Sequence, residues 1–259
     1  MAKDSIGKTI GVTLALCAVC SLLVVASTIV LKPAQERNKL LATKGKILEA
    51  AGLLQENADV EQLFDQHITA RFVDLETGRF NDQDTKGFDD RRAAKDPATS
   101  MAIPAEKDKA KIQRKAKLQK VYLVKEGEQI KTVILPVYGK GLWSTMYAFV
   151  ALEGDANTVK GLVFYEHGET PGLGGEVENS LWKSQWPGKK LFDNDFNLQV
   201  EVLKGRVDKN RPDAIHKVDG LGGATLTTRG VTTLIRYWLG EEGFGPFLTN
   251  LRKGEANNV

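Results

Sequence analysis

The chain has 259 residues, of which 42% are hydrophobic and 27% are charged, and its formal net charge at pH 7 is +3. This length and apolar content are sufficient for one sizeable domain and an additional element. Its charge is nearly balanced and its basic residues are scattered, which excludes the basic stripe of a nucleic-acid-binding protein. We therefore expect no nucleic acid among its partners.

The N-terminal region, residues 1–32, is predicted to be a transmembrane anchor. No charged residue occurs from Thr9 to Leu31, and a helix of this length would be about 35 Å long, more than the roughly 30 Å of a hydrocarbon core. A cleaved signal peptide is the alternative. However, Ala26-Ser27-Thr28 is a poor cleavage site, and the apolar run continues beyond it. A buried helix of a soluble domain is disfavoured because the run has no polar face.

The charges that flank this span favour a cytoplasmic position for the rest of the chain. Only Lys3 and Lys8 precede the span, and the positive-inside rule places the more basic flank in the cytoplasm. The rule is unreliable for long translocated domains. The basic residues that follow the span are Lys32, Arg37, Lys39, Lys44 and Lys46.

Cys17 and Cys20, the only cysteines, both lie inside the span. Residues three apart share one face of a helix, and two thiols are too few for a four-ligand zinc site. We predict that they pack against other helices in the membrane. An intersubunit metal or cluster site is the alternative. The rest of the chain has no cysteine, which excludes disulfides and a local iron–sulfur cluster there.

Residues 33–120 are predicted to form a juxtamembrane helix and a polar connecting region. Pro33 is placed to start a new helix, and the segment after it has the apolar stripe of an amphipathic helix. Farther on the chain is polar, with basic clusters at Arg91-Arg92 and from Lys107 to Lys120. A solvated surface is the simpler interpretation of these clusters, and binding to a neighbouring subunit is the sharper one.

Residues 121–259 are predicted to form a sheet domain. Lys125 to Gln129 indicate a hairpin, another strand is expected between Leu191 and Leu203, and helices are expected around Asn179 to Trp182 and after Thr227. Strands in the middle with helices toward the ends, and no alternation of strand and helix, predict an α+β fold with one largely antiparallel sheet. The clearest strand segments are Val121 to Val124, Ile130 to Val137, Tyr147 to Leu152 and Val159 to Tyr165.

The glycine-rich stretch from Asp219 to Thr228 is the most informative segment for function. Its backbone carries few large side chains, so a bulky ligand can approach it closely. A pattern of helical spacing follows and ends at Gly240. The unpaired N–H groups and positive dipole at a helix start suit a phosphate. Glycine-rich turns before helices are common, so this segment alone does not identify the ligand.

Three motifs together resemble one flavoprotein family. Asp219 to Thr228 resembles the Asp-x-x-(Ser/Thr)-Gly-Ala-Thr signature of domains that carry FMN through a threonine phosphoester. Glu169 to Gly174 matches a second motif of these domains, and Gly141 to Phe149 resembles the segment that precedes both motifs in the NqrC subunits of sodium-translocating NADH:quinone oxidoreductases. The motifs occur in the family's order, behind a single hydrophobic segment. One departure is Gly222, which stands where the family usually has serine or threonine.

The resemblance implies an electron-carrying subunit of a multi-subunit membrane oxidoreductase, with no NADH, quinone or sodium site of its own and no catalytic side chain. It implies FMN on Thr225, attached by a separate flavin transferase, and a large domain on the periplasmic side of a bacterial inner membrane. The flanking charges disagree with that orientation. The other residues expected to bind FMN are Trp143, Glu169, Thr170, Gly172, Leu173, Gly174, Gly223, Ala224, Leu226, Thr227 and Thr228.

Several of these residues have a second interpretation. Trp143 is expected to stack on the flavin ring, or else to be a core residue. Glu169 is expected to bond the ring or to shape its own loop. Gly172 and Gly174 would expose backbone groups to the ring while Leu173 packs on its face. The three histidines lack metal-ligand spacing, so no metal site is expected.

Two other functions remain as alternatives. One is the related RnfG subunit of an ion-translocating ferredoxin:NAD oxidoreductase complex, which the tryptophan-containing block from Gly141 to Phe149 disfavours. The other is a cofactor-free scaffold anchored in the membrane, which would contain no flavin.

Overall fold

The first helix continues through the expected break at Pro33. The computed structural model describes residues 5–256, so Lys3 lies outside the described residues, and α1 runs without interruption over Ile6–Ala50. Proline removes one hydrogen-bond donor but does not by itself end a helix, so the predicted restart does not occur. Among the described residues, α1 is the only helix long and apolar enough to cross a membrane, with a mean hydropathy of 2.7 in its most apolar window.

The chain divides into two units, one up to Thr43 and the other from Lys44 onward. The second unit contains the other helices and the strands. The helices are α2 (Val60–His67), α3 (Asp90–Lys95), α4 (Ser180–Lys183), α5 (Thr225–Leu239) and α6 (Gly245–Lys253). The strands are β1 (Thr69–Asp74), β2 (Arg79–Asn81), β3 (Ser100–Ala102), β4 (Arg114–Ala116), β5 (Leu118–Glu126), β6 (Gln129–Lys140), β7 (Thr145–Glu153), β8 (Val159–Glu166), β9 (Glu201–Val202) and β10 (Lys217–Val218).

Six strands form one antiparallel sheet in the order β2-β1-β5-β6-β7-β8. Burial alternates along β5, as expected for a strand with one face on the core. The predicted hairpin joins β5 to β6, and Gly127 in its turn has a φ of +59°, a left-handed value that favours glycine. The predicted α+β fold with a largely antiparallel sheet is confirmed.

Both faces of the sheet are covered by helix. On one face, Ile47 and Leu48 near the end of α1 pack with Ile134, Phe149 and neighbouring residues. On the other face, α5 and α6 contribute to the main hydrophobic core. α5 lies very close to β6, because a Cβ on Gly139 would be only 2.7 Å from the Cβ of Leu234. This contact fixes the position of the helix that begins at Thr225.

Two parts of the second unit differ from the sequence prediction. The region 33–120, predicted as helix and polar connection, also contains β1 and β2, and β1 pairs with β5 along its whole length. β5 itself crosses the predicted domain boundary at residue 120. The strand expected between Leu191 and Leu203 is reduced to β9, which pairs in parallel with β10. Apart from this pair, the segment is irregular.

Candidate functional site

Thr225 is the first residue of α5, and its side chain is exposed. No side chain caps this helix start, so the first backbone N–H groups of α5 have no helical acceptor. Gly223, just before the helix, has a φ of +71° and leaves the approach to Thr225 free of a side chain. An exposed hydroxyl beside unpaired N–H groups is suited to carry a phosphate.

Two cations lie beside the same hydroxyl. A cavity of about 220 Å³ is lined by Thr225, Lys204 and Arg229, together with Glu201, Val202, Thr228 and Thr232. Lys204 and Arg229 are both exposed, and neither forms an ion pair within residues 5–256. They add positive charge at the point where the helix dipole already favours an anion. Sequence reasoning missed both residues, because Lys204 is distant in the chain and a single arginine in a helix is not a motif.

The other two threonines of the motif face the protein interior. Thr227 is 1% exposed, and its hydroxyl donates to Glu169 Oε2 at 2.5 Å. Thr228 is 3% exposed, and its Oγ1 accepts a hydrogen bond from the backbone N–H of Leu221 at 3.1 Å. Both hydroxyls are therefore used in holding the turn and the helix together. They support Thr225 rather than offering alternative acceptors.

Glu169 connects the three sequence motifs. Its carboxylate is 5% exposed and accepts hydrogen bonds from Thr227 and from the backbone N–H groups of Leu142 (3.2 Å), Trp143 (3.0 Å) and Ser144 (3.4 Å). Burial raises the pKa of this carboxyl, but the hydrogen bonds outweigh burial and hold the pKa below its ordinary value. Glu169 is therefore an ionised structural group, which agrees with the second of its two sequence interpretations.

Glycine is required where these motifs meet. A Cβ on Gly174 would lie 2.5 Å from Thr227 Oγ1, and a Cβ on Gly141 would lie 2.5 Å from Glu169 Oε1. Gly174 is thus a packing residue, not an open backbone segment as we expected. Gly172 does fit that expectation, since it is exposed, has a φ of +75° and has no atom within 4 Å of a built Cβ. Gly141 was not among the predicted site residues.

Large apolar side chains remain exposed around this framework. Trp143 is 66% exposed and is therefore not a core residue, and its Nε1 donates to Thr170 Oγ1 at 3.1 Å. Leu173 and Leu226 are 44% and 54% exposed, and Leu173 Cδ2 is 3.0 Å from a Cβ built on Gly223. Ala224, by contrast, is buried. Exposed large apolar groups near an anion-binding helix start suit a ligand with a phosphate and a flat aromatic head.

Two other candidate groups are occupied elsewhere. The Asp219 carboxylate accepts a hydrogen bond from the Val207 N–H at 2.7 Å. His167 Nδ1 accepts one from the Glu169 N–H at 3.2 Å. Within residues 5–256 no cluster of His, Cys, Asp and Glu is arranged to hold a metal.

The residues present fit FMN. An exposed hydroxyl at a bare helix start would take the phosphate, and the apolar side chains of Trp143, Leu173 and Leu226 would contact the ring. The family model described as FMN-binding domain matches residues 141–240, the range that contains all three motifs. The fold and site therefore define an FMN-binding domain.

Full-length relatives identify the family more closely. The chain is 51% identical to the NqrC component of the Na(+)-translocating NADH-quinone reductase of Pseudomonas aeruginosa, over 98% of this chain and 99% of the relative. It is 50% identical to the NqrC component of Vibrio anguillarum, over 98% of each. Its structure is similar to the crystal structure of Shewanella oneidensis NqrC, with a TM-score of 0.76 and 38% identity over 85% of this chain and 99% of that one. The chain belongs to the NqrC family of Na(+)-translocating NADH-quinone reductases.

Proposed function

We propose that this protein carries electrons through an FMN joined by a phosphoester to Thr225, as a subunit of a sodium-translocating NADH:quinone oxidoreductase. The observation that carries the proposal is the contrast among the threonines of the motif. Thr225 is exposed beside Lys204 and Arg229, whereas the hydroxyls of Thr227 and Thr228 are buried and bonded. When bound, FMN supplies the redox chemistry, and the protein fixes its position and surroundings.

Each group of the site has a defined task in this proposal. The N–H groups of the first turn of α5, with Lys204 and Arg229, stabilise the negative charge of the phosphodiester. Trp143 and Leu173 contact the ring and exclude water from part of it. Glu169 holds both sides of the site at a fixed separation through its four hydrogen bonds.

Attachment of the cofactor requires a separate flavin transferase. A threonine hydroxyl is a weak nucleophile without a base, and the nearby Asp219 is bonded to Val207 instead. In the proposed reaction Thr225 Oγ forms a bond to the FMN phosphorus of FAD, the pyrophosphate bond breaks, and AMP leaves. The hydroxyl proton passes to a base of the transferase.

Substitution of the acceptor tests the proposal. We expect Thr225→Val to abolish the covalent flavin, seen as loss of in-gel flavin fluorescence after denaturation, because valine has no oxygen to join to phosphorus. Thr233→Val is the matched control, since Thr233 lies in the same helix and its hydroxyl donates only to the Arg229 carbonyl. The control should fluoresce like the wild type. A fluorescent Thr225→Val protein, or an unmodified Thr225 peptide in wild-type protein from its native host, would refute the phosphoester.

We also propose that α1 anchors the protein in the bacterial inner membrane and that the second unit lies on the periplasmic side. The length and hydropathy of α1 support the anchor. The family resemblance supports the orientation, against the count of flanking basic residues.

A further inference from the structure

A second cavity continues the one beside Thr225 along the exposed side of α5. It has a volume of about 560 Å³ and shares Arg229 and Thr232 with the smaller cavity, so the two form one groove. We call it the α5 groove. Its remaining lining residues are Lys107, Lys109, Lys111, Thr233, Arg236, Tyr237, Glu241 and Glu242.

The α5 groove is predominantly basic. Its carboxylates are largely neutralised nearby, because Glu242 pairs with Lys107 at 2.7 Å and Glu201 pairs with Lys217 at 2.8 Å. Glu241 is the remaining acidic residue of the lining. The basic residues of the groove that form no ion pair within residues 5–256 are Lys109, Lys111, Lys204, Arg229 and Arg236.

The lysine segment of the groove is held rigidly. The Asp108 carboxylate accepts hydrogen bonds from the N–H groups of Ile112 (2.9 Å) and Gln113 (2.8 Å). Ala110 is 2% exposed, and its carbonyl accepts a hydrogen bond from the Lys140 N–H at 2.9 Å. With Ala110 fixed inside, the flanking Lys109 and Lys111 point into solvent as exposed side chains. Fixed charges lose little conformational freedom when they meet a partner.

The groove also contains an unused polar group. Tyr237 is 5% exposed, and its hydroxyl is buried without a hydrogen-bond partner in the described part of the chain. Burial raises the pKa of this hydroxyl, so it stays protonated at neutral pH and can donate. A buried donor without an acceptor is destabilising by about 1–3 kcal/mol unless a bound group satisfies it.

The length of the groove favours a peptide over a small anion. Along α5, Thr225 and Tyr237 are about 18 Å apart at the usual helical rise. That distance corresponds to roughly five or six residues of extended chain. A phosphate or a mononucleotide would leave most of the cations unpaired.

We propose that the α5 groove docks an acidic, Asp- and Glu-rich segment of the protein subunit that exchanges electrons with the flavin. This inference rests on the proposed function, since the groove begins at Thr225. Charged surfaces beside a redox centre orient short-lived encounters and raise association rates without requiring a large interface. The Tyr237 hydroxyl and the ammonium groups of Lys109 and Lys111 would all point to carboxylates of that segment.

The test uses the complete detergent-solubilised complex carrying Lys109→Glu and Lys111→Glu together. We expect the rate of electron transfer from NADH to quinone to fall roughly tenfold at about 0.1 M ionic strength. The rates of variant and wild type should converge at about 1 M potassium chloride and fixed sodium, because the screening length is then only about 3 Å. Lys86→Glu with Lys125→Glu makes the same charge change at exposed positions outside the groove and should leave the rate unchanged.

A second measurement identifies the occupant. A photoreactive amino acid placed at position 109 in the complete complex should crosslink to an acidic segment of another subunit. A crosslink only to lipid or to a neutral segment, or equal effects of the two charge reversals, would overturn the inference. Flavin fluorescence of the subunit is measured in every sample. Its absence from the wild type would refute the proposed function itself, whereas a normal flavin with normal rates in the groove variant refutes only the docking site.

Discussion

At the scale of single residues, Glu169 determines how the site is held together. Its carboxylate joins Thr227, which is 58 positions away in the chain, to the turn at Leu142 to Ser144. Four donors around one buried carboxylate satisfy its charge and explain why its pKa is lowered in spite of burial. The residue matters to the flavin through the positions of others.

We expect Glu169→Gln to lower the free energy of unfolding by about 1.5–3 kcal/mol, since an amide nitrogen replaces an oxygen that accepts hydrogen bonds. Covalent flavin should still form, but with reduced yield. Chemical denaturation followed by tryptophan fluorescence measures the stability. Glu128→Gln, at an exposed position in the β5–β6 turn, is the control and should have no effect. Equal stabilities of the two variants would contradict the role of Glu169.

The stabilisation by Glu169 should depend on pH. Its folded pKa lies below the ordinary value of 4.5, so its contribution is complete above that value and is lost as the pH falls through the folded pKa. The difference in unfolding free energy between wild type and Glu169→Gln should therefore be constant near neutral pH and narrow in acid. A difference that widens below pH 4.5 would show that the carboxyl pKa is raised instead.

At the scale of elements, the site depends on how closely the loop containing Gly174 approaches α5. There is no room for a methyl group at Gly174, whereas a Cβ on Gly222 would have no atom within 4 Å. The two glycines lie in different motifs of the same site and differ in what surrounds them. The close approach, rather than glycine content alone, keeps Thr227 bonded to Glu169.

We expect Gly174→Ala to lower the free energy of unfolding by about 1–3 kcal/mol, because the added methyl forces the loop away from α5. Its flavin yield should fall as well. Gly222→Ala is the matched control and should change stability by less than about 0.5 kcal/mol, with normal flavin fluorescence. The same denaturation and in-gel measurements apply. A Gly174→Ala protein as stable as the control would show that the loop can move without loss.

The sequence predicts the regular elements better than the irregular ones. The strands β5 to β8 and the helix α5 are long and periodic, and Gly240 ends α5 as expected. β1 and β2 lie within a polar, charged region, and β2 has only three residues. Their pairing depends on β5, which lies more than forty positions later in the chain. Local pattern has no access to such contacts.

The site shows the same division. Motifs identify Thr225, Trp143, Gly172 and Leu173, which remain accessible in the structure. The roles of Thr227, Thr228 and Gly174 depend on which side of a helix or loop faces inward, and that becomes visible only with the packing. Lys204 and Arg229 complete the surroundings of Thr225 from positions with no motif of their own.

At the scale of the whole molecule, the side of the membrane that the second unit occupies can be measured directly. Glu128→Cys places a thiol in the exposed β5–β6 turn, whereas Cys17 and Cys20 lie in the apolar part of α1. We expect a membrane-impermeant maleimide to label this variant in intact spheroplasts, and not to label the parent protein. Labelling only after lysis would place the second unit in the cytoplasm, as the flanking lysines favour.

The proline inside α1 has a consequence for where this helix meets water. Pro33 has no N–H, so the carbonyl of Ile29 lacks its usual helical donor. The nearby hydroxyls of Ser27 and Thr28 bond instead to the carbonyls of Leu23 and Val24. An unsatisfied carbonyl costs several kcal/mol in hydrocarbon but is readily hydrated among lipid headgroups. Ile29 therefore belongs at the headgroup boundary, and the bilayer depth of α1 is set by a single missing proton.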